Sequence, residues 1–197
     1  MDFYDDSKNV DAYIEMAEGY DGRELIDKLG PYLPEGSTVL ELGMGPGKDM
    51  DILLTKYQVT GSDRSQIFVD RYRQTHPEAD LLVLDVTALD ALATSGRTFD
   101  CIYSNKVLHH LTRDELIDSL AQQHALLNDG GLLCHAFWYG DGVQDIHGML
   151  FTYYTEDDFE TLRGTDFEIV LLERAKEMED GDTVYVILRK HSNDTSN

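Results

Sequence analysis

The chain reads as an α/β domain built on a doubly wound, mostly parallel sheet with helices on both faces. Three observations predict this class. Short β-branched or apolar runs alternate with helical patterns from Ser37 to Trp138, which is how βαβ units are written. The first run leads straight into a glycine corner, Glu41-Leu-Gly43-Met-Gly45-Pro-Gly47. The last two runs are separated only by a turn, so the sheet must carry one reversed strand near an edge.

The elements follow in order. Asn9 to Gly19 can form a helix with Val10, Tyr13, Ile14 and Ala17 on one face, and Gly22 to Tyr32 a second, ended by Pro31 and Pro34. This segment, residues 1–36, is rich in tyrosine (Tyr4, Tyr13, Tyr20, Tyr32) and reads either as a docked helical layer or as a lid over the glycine corner. Strands are predicted at Thr38 to Leu42, Tyr57 to Ser62, Asp80 to Leu84, Thr98 to Tyr103 and Gly131 to Trp138. Helices are predicted between them at Asp49 to Lys56, Gln66 to Gln74, Leu89 to Ala93 and Asp114 to Leu127, the last with Thr112 as N-cap. A short helix at Asp157 to Arg163 then precedes strands at Phe167 to Glu173 and Thr183 to Leu188, joined by a turn around Gly181. A single domain is expected, with a core over residues 37–190 and a frayed tail over 191–197.

Composition narrows the class of function. Apolar residues at 42% and charged residues at 27% are ordinary for a globular chain with a sizeable core. No apolar run is long enough to span a membrane, and the acidic start lacks the basic and apolar regions of a signal peptide, so a cytoplasmic setting is expected. Cys101 and Cys134 form neither a metal-ligand spacing nor a disulfide framework; both fall in strand-like runs, as small buried hydrophobes do, and no metal site is expected. The net charge of -22 is the unusual quantity. Affinity for nucleic acid rests on basic residues displacing phosphate counterions, and this chain has no such stripe. Neither nucleic acid nor membrane is expected as a partner, and the acidity reads as solubility or adaptation to a salty cytoplasm, with a basic protein partner as the sharper alternative. Monomer and homodimer stay equally open.

The glycine corner carries the chemistry. Glycine lets backbone turn tightly and approach a ligand, and the helix start that follows presents free N–H groups. Ligands of doubly wound sheets bind beyond the carboxyl ends of the strands, which here are Glu41, Asp63, Asp85 and Asn105. An acid placed like Asp63 can accept both ribose hydroxyls of NAD or of S-adenosylmethionine. Spacing separates the two. The dinucleotide pattern G-x-G-x-x-G, counted from Gly43, would need a glycine where Lys48 stands. Glu41 is also unfavourable next to a pyrophosphate and favourable next to an ammonium and a sulfonium.

These residues resemble motif I of the class I S-adenosylmethionine-dependent methyltransferases, E/D-x-G-x-G-x-G, at every fixed position. Thr60-Gly-Ser-Asp63-Arg-Ser resembles the end of that family's second strand, and Leu84-Asp85-Val86 its adenine-reading step. The stretch Phe99 to Leu111 resembles its fourth strand and following loop, and the terminal hairpin its reversed seventh strand. The resemblance covers roughly residues 36–190. It implies a seven-stranded sheet of order 3-2-1-4-5-7-6 with strand 7 antiparallel, and S-adenosylmethionine as cofactor with S-adenosylhomocysteine as product.

Carried over by position, the resemblance implies these roles. Gly43, Met44 and Gly45 pass against the methionine part of the cofactor, and Gly47 relieves the turn into the helix. Glu41 anchors the loop and the ammonium. Asp63 accepts from the ribose, and Arg64 flanks the adenine. Asp85 accepts from the adenine amino group, or else caps the next helix, while Val86 packs the ring. The Asn105 carbonyl faces the ammonium.

The sulfonium is already an activated leaving group, so in-line methyl transfer to a small-molecule acceptor needs mainly proximity and exclusion of water. A base is required only for a protonated nucleophile. Weak catalytic candidates are Lys106, His109, His135 and Tyr139; His109 and His110 read first as loop-packing histidines. The acceptor pocket is expected from Tyr13, Tyr20, Trp138, Tyr139 and Tyr153, with Asp145-Ile-His147 nearby. No Asn-Pro-Pro-Tyr-like tetrad follows strand four, where the chain reads Ser104-Asn-Lys-Val107, and this also disfavours a base-methylating enzyme. Two rival readings are an NAD-dependent oxidoreductase and a non-catalytic S-adenosylmethionine-binding module serving a protein partner.

Overall fold

The computed structural model describes residues 4, 6–146 and 148–192. Nine strands and their helices follow in the order α1 (Ser7–Met16), α2 (Arg23–Leu29), β1 (Thr38–Leu42), α3 (Lys48–Leu53), β2 (Gln58–Asp63), α4 (Gln66–Thr75), β3 (Asp80–Val83), α5 (Asp90–Thr94) and β4 (Phe99–Asn105). A 3-10 turn (Leu108–His110) comes next, then α6 (Arg113–Leu126), β5 (Leu127–Trp138), β6 (Val143–Ile146), β7 (Met149–Thr152), α7 (Glu156–Leu162), β8 (Phe167–Ala175) and β9 (Thr183–Lys190).

Seven strands form one sheet, in the order β3-β2-β1-β4-β5-β9-β8. Pairs from β3 through β5 are parallel, and β9 runs antiparallel to both β5 and β8. With β6 and β7 set aside, this is the order 3-2-1-4-5-7-6 expected from the sequence. Alternation along the central strands splits the core in two. Val39, Cys101, Tyr103, Cys134 and Ile187 pack with α2, α3 and α4 on one face. Leu40, Leu42, Ile102, Leu133 and Leu188 pack with α6 and α7 on the other. Both cysteines are buried and unbonded to each other.

Local chemistry explains the boundaries. Thr112 caps α6 in a full capping box with Glu115, and Thr155 does the same for α7 with Asp158. The turn before β9 is organised by Asp182, whose carboxylate accepts from the backbone of Glu177, Met178 and Glu179. Strand β5 starts earlier than the glycine pair at 130–131 suggests. The Asn128 amide donates to the Asp100 carboxylate at 2.7 Å, and the Lys190 ammonium donates to the Leu127 carbonyl at 2.8 Å. These bonds draw the start of the strand onto the sheet.

Two differences from the sequence reading matter for the site. The stretch after β5, where no strand was predicted, is a two-stranded hairpin, β6 with β7; Val143 pairs with Thr152 and Ile146 with Met149. Its side-chain pattern was masked by aromatic content, and the turn glycine, Gly148, was the available signal (φ 81). The first residue of the expected tail is also tied down, since the His191 N–H donates to the Asp166 carbonyl at 3.1 Å. Residues 193–197 and His147 lie outside the described residues. Among the described residues, no helix is long and apolar enough to cross a membrane.

Candidate functional site

The site grows from the end of β1. Gly43, Gly45 and Gly47 all have positive φ (70, 50 and 88). At Gly43 a Cβ would come within 2.5 Å of the Val107 side chain, so close packing as well as conformation requires glycine there. At Gly45 the nearest atom to such a Cβ is on the Tyr13 ring, at 3.7 Å, so the space above this residue is open. Gly47 is the N-cap of α3 and lies under the Tyr72 ring. The loop is tied to the next strand: Met44 N–H donates to Ser62 carbonyl at 2.8 Å, and Gly45 N–H to the Asp63 carboxylate at 2.9 Å. The other Asp63 oxygen accepts from Ser65 N–H at 2.8 Å. Burial pushes the Asp63 carboxyl up while these two backbone donors hold it down.

Glu41 stands at the floor of the site, 3% exposed, and among the described residues nothing donates to its Oε2. Burial, then the carboxylates of Asp49, Asp63 and Asp51, hold its pKa well above the ordinary range. Asp49 is a node that sequence reasoning missed. It accepts from Gly22 N–H at 2.6 Å, Tyr103 hydroxyl at 2.8 Å and Asn105 amide at 3.1 Å, joining α2, α3 and β4. A buried carboxyl without a donor, ringed by other acids, is suited to a cationic ligand.

Two cavities meet over the glycine corner. One, of about 410 Å³, is lined by Asp63, Arg64, Phe68, Leu84, Asp85, Val86 and Thr87. The other, of about 400 Å³, is lined by Glu41, Met44, Asp49, Asn105, His109, Trp138 and Phe151, with Tyr20, Met16 and Met178 towards its rim. Tyr4, Tyr13, Gly43, Gly45, Lys106, His110 and Met149 border both. Helix α1 covers the junction: the Lys48 ammonium donates to the Ala17 carbonyl at 2.6 Å, Arg71 pairs with Asp11 at 2.7 Å, and Tyr4 and Tyr13 pack edge-on at 5.5 Å. The Asp85 carboxylate accepts from Thr87 N–H and hydroxyl in a tight turn, so it is not the cap of α5, whose N-cap is Leu89. Burial works to raise the Asp85 pKa, but the Thr87 bonds hold it below the ordinary value.

The acceptor-side residues divide. Tyr13, Tyr20, Trp138, Lys106 and His109 line the second cavity. Tyr139 and Tyr153 border neither cavity. Arg174 stacks 3.2 Å over the Tyr139 ring, and the Tyr153 hydroxyl donates to Gln144 at 3.2 Å in the β6–β7 hairpin. The hairpin pulls Tyr153 away and supplies Met149 and Phe151 instead. His135 is also away from both cavities, fully buried, bonded to Ser104 at 2.9 Å and to the Gln123 carbonyl oxygen at 3.0 Å. Burial lowers its pKa to about 3, so it stays neutral and is a core histidine.

Lys106 has the only positive φ of a non-glycine among the described residues (φ 56), at the turn leaving β4. Its ammonium is 3.4 Å above the Trp138 ring, 2.6 Å from the Thr183 hydroxyl and 3.3 Å from Glu177. Burial lowers its pKa to about 8 against the raising effect of Glu177. Glu177, on the turn between β8 and β9, was invisible as a partner because the pairing joins residues far apart in the chain. Among the described residues, no group of three or more His, Cys, Asp or Glu is placed to hold a metal.

The sheet order, the reversed β9 and the acid-floored glycine corner are those of the class I, Rossmann-like S-adenosylmethionine-dependent methyltransferases. Residues 39–131 match the family model described as a methyltransferase domain. The 1,6-didemethyltoxoflavin-N1-methyltransferase of Burkholderia thailandensis, solved with 1,6-didemethyltoxoflavin and S-adenosylhomocysteine, superposes with a TM-score of 0.78 at 25% identity, over 92% of this chain and 83% of that one. A tRNA (carboxymethyluridine(34)-5-O)-methyltransferase of Mus musculus is 36% identical over 54% of this chain and 15% of its own length. A trans-aconitate 2-methyltransferase of Variovorax paradoxus (strain S110) is 29% identical over 51% and 38%. The chain thus spans well under half the length of these two curated relatives. The family uses S-adenosylmethionine as methyl donor.

Proposed function

We propose that this chain transfers a methyl group from S-adenosylmethionine to a small-molecule acceptor. One observation carries the reading: two cavities of similar size, one polar and one aromatic, meet over Gly43 and Gly45. The residues fit the cofactor. Among the described residues Glu41 Oε2 has no donor, so it can take the ammonium, with Asn105 bordering the same cavity. Gly43, Met44 and Gly45 form the floor, Gly47 sets the turn, and Asp63, Arg64, Asp85 and Val86 surround the adenosine side.

Bound S-adenosylmethionine supplies a methyl carbon on a sulfonium, which is already a good leaving group. The chain's own work is positioning and drying. Asp63 holds the loop by the Gly45 N–H, so the floor between the cavities is fixed. Tyr13, with its hydroxyl raised to about pKa 12 chiefly by burial, stays neutral and closes the junction from above. Trp138 and Phe151 wall the acceptor side and shed water, which strengthens the local electrostatics.

A small acceptor is supported over an RNA by charge. The chain carries -22 net, and four carboxylates (Asp21, Glu41, Asp49 and Glu177) border the acceptor cavity. The test is calorimetric titration with S-adenosylhomocysteine and with NADH, followed by a methyl-transfer screen over phenols, amines, thiols and carboxylates. Binding of S-adenosylhomocysteine with turnover of a small acceptor supports the reading. NADH binding alone, or methylation of tRNA and of no small molecule, overturns it.

A further inference from the structure

We infer that the acceptor is a neutral, flat molecule that presents a ring N–H or a phenolic O–H to His109. This rests on the methyl-transfer reading above and names the chemistry of its second cavity.

His109 is 2% exposed, borders the acceptor cavity, and has neither ring nitrogen hydrogen-bonded within the described residues. The other buried imidazole among the described residues, His135, has both nitrogens satisfied. The adjacent His110 holds the Leu150 carbonyl at 2.7 Å and so latches the hairpin to the 3-10 turn. His109 is thus the histidine of this wall left without a partner. Unmet ring nitrogens away from water carry a desolvation penalty that a polar ligand group relieves. The ring packs at 5.0 Å from Phe151 and 6.5 Å from Trp138, and a turn about its second side-chain torsion, which is broad for histidine, offers a nitrogen to the cavity.

Charge decides what that group is. Burial, then His110 and Lys106, keep the His109 imidazole uncharged, so it offers one donor and one acceptor and no counter-charge. The two lysines bordering the cavity are already engaged, Lys106 with Glu177 and Lys48 with the Ala17 carbonyl. A carboxylate acceptor would therefore meet acids and no spare cation, whereas an uncharged aromatic ring with one protic group matches both the wall and the imidazole.

The experiment uses protein saturated with S-adenosylhomocysteine and a matched pair of probes, naphthol and naphthoate, titrated by calorimetry. Naphthol should bind about tenfold tighter than naphthoate or better, and His109→Phe should weaken naphthol about tenfold while leaving naphthoate and S-adenosylhomocysteine unchanged. His109→Asn, which keeps a donor and an acceptor, should restore part of the loss. Naphthoate binding as tightly as naphthol, absence of naphthol binding, or naphthol affinity untouched by both substitutions would overturn the inference. Failure of S-adenosylhomocysteine to bind at all would instead overturn the methyl-transfer reading beneath it.

Discussion

The carboxylate of Asp63, at the end of β2, holds the backbone N–H of Gly45, in the loop after β1, at 2.9 Å. One side chain therefore fixes the loop and borders the cavity proposed for the adenosine. Asp63→Ala should remove both effects and weaken S-adenosylhomocysteine binding by about 2 kcal/mol, roughly thirtyfold. Asp63→Asn keeps an acceptor for Gly45 and should lose less. Dissociation constants for the two variants measure this directly, and an unchanged value for Asp63→Ala would remove the residue from the site.

Gly43 and Gly45 should separate stability from binding. A side chain at Gly43 meets Val107, so Gly43→Ala should lower the melting temperature by several degrees. At Gly45 the space is open, so Gly45→Ala should fold with only the backbone strain of a positive φ, about 1 kcal/mol, yet block the ligand. Thermal melts paired with S-adenosylhomocysteine titrations would show the contrast. Equal binding losses without any difference in stability would contradict it.

Glu41 makes the apo protein and the complex respond oppositely to pH. Its folded-state pKa lies above the unfolded one, so its contribution to stability is full below the ordinary glutamate range and is lost as pH rises towards the raised value. A ligand ammonium favours the ionised form, so binding should release a proton and tighten with rising pH in that same window. Glu41→Gln should raise the apo melting temperature at neutral pH, by about 2–4 °C for each kcal/mol regained. It should also weaken cofactor binding about tenfold. Calorimetry in buffers of different ionisation enthalpy would count the protons.

His135 should prove structural. Its ring links Ser104 to Gln123, whose amide donates to Ser119 at 3.1 Å, and Ser119 in turn donates to the Val86 carbonyl at 2.7 Å. His135→Leu strands two buried partners and should cost about 2–4 kcal/mol, read as a lower denaturant midpoint. Near-normal turnover of the folded fraction is expected, and complete loss of turnover in a fully folded variant would restore a direct role.

The fold and the clustering of Gly43, Asp63 and Asp85 around one cavity were legible because both rest on local signals. Motif I, the acid at Asp63 and the Asp85-Val86 step each declare themselves within a few residues, and a strand followed by a helix is a periodic signal. The lining of the other cavity was not. Trp138 borders it, but Tyr139, just past the end of β5, stacks under Arg174 instead. Phe151 and Met149 arrive through a hairpin whose pairing is a tertiary fact, and Lys106 meets Glu177 from a distant part of the chain. His109 and His110, adjacent in the chain, could not be told apart until the Leu150 carbonyl claimed one of them.

Trp138 is the chain's single tryptophan, and it borders the acceptor cavity with the Lys106 ammonium 3.4 Å above its ring. The indole is thus a native optical probe placed at the proposed acceptor cavity, and a nearby cation shifts indole emission. Any occupant that displaces water from that wall, or moves Lys106 relative to the ring, should register as a change in fluorescence from this one residue. The protein needs no label to report on which molecules enter it.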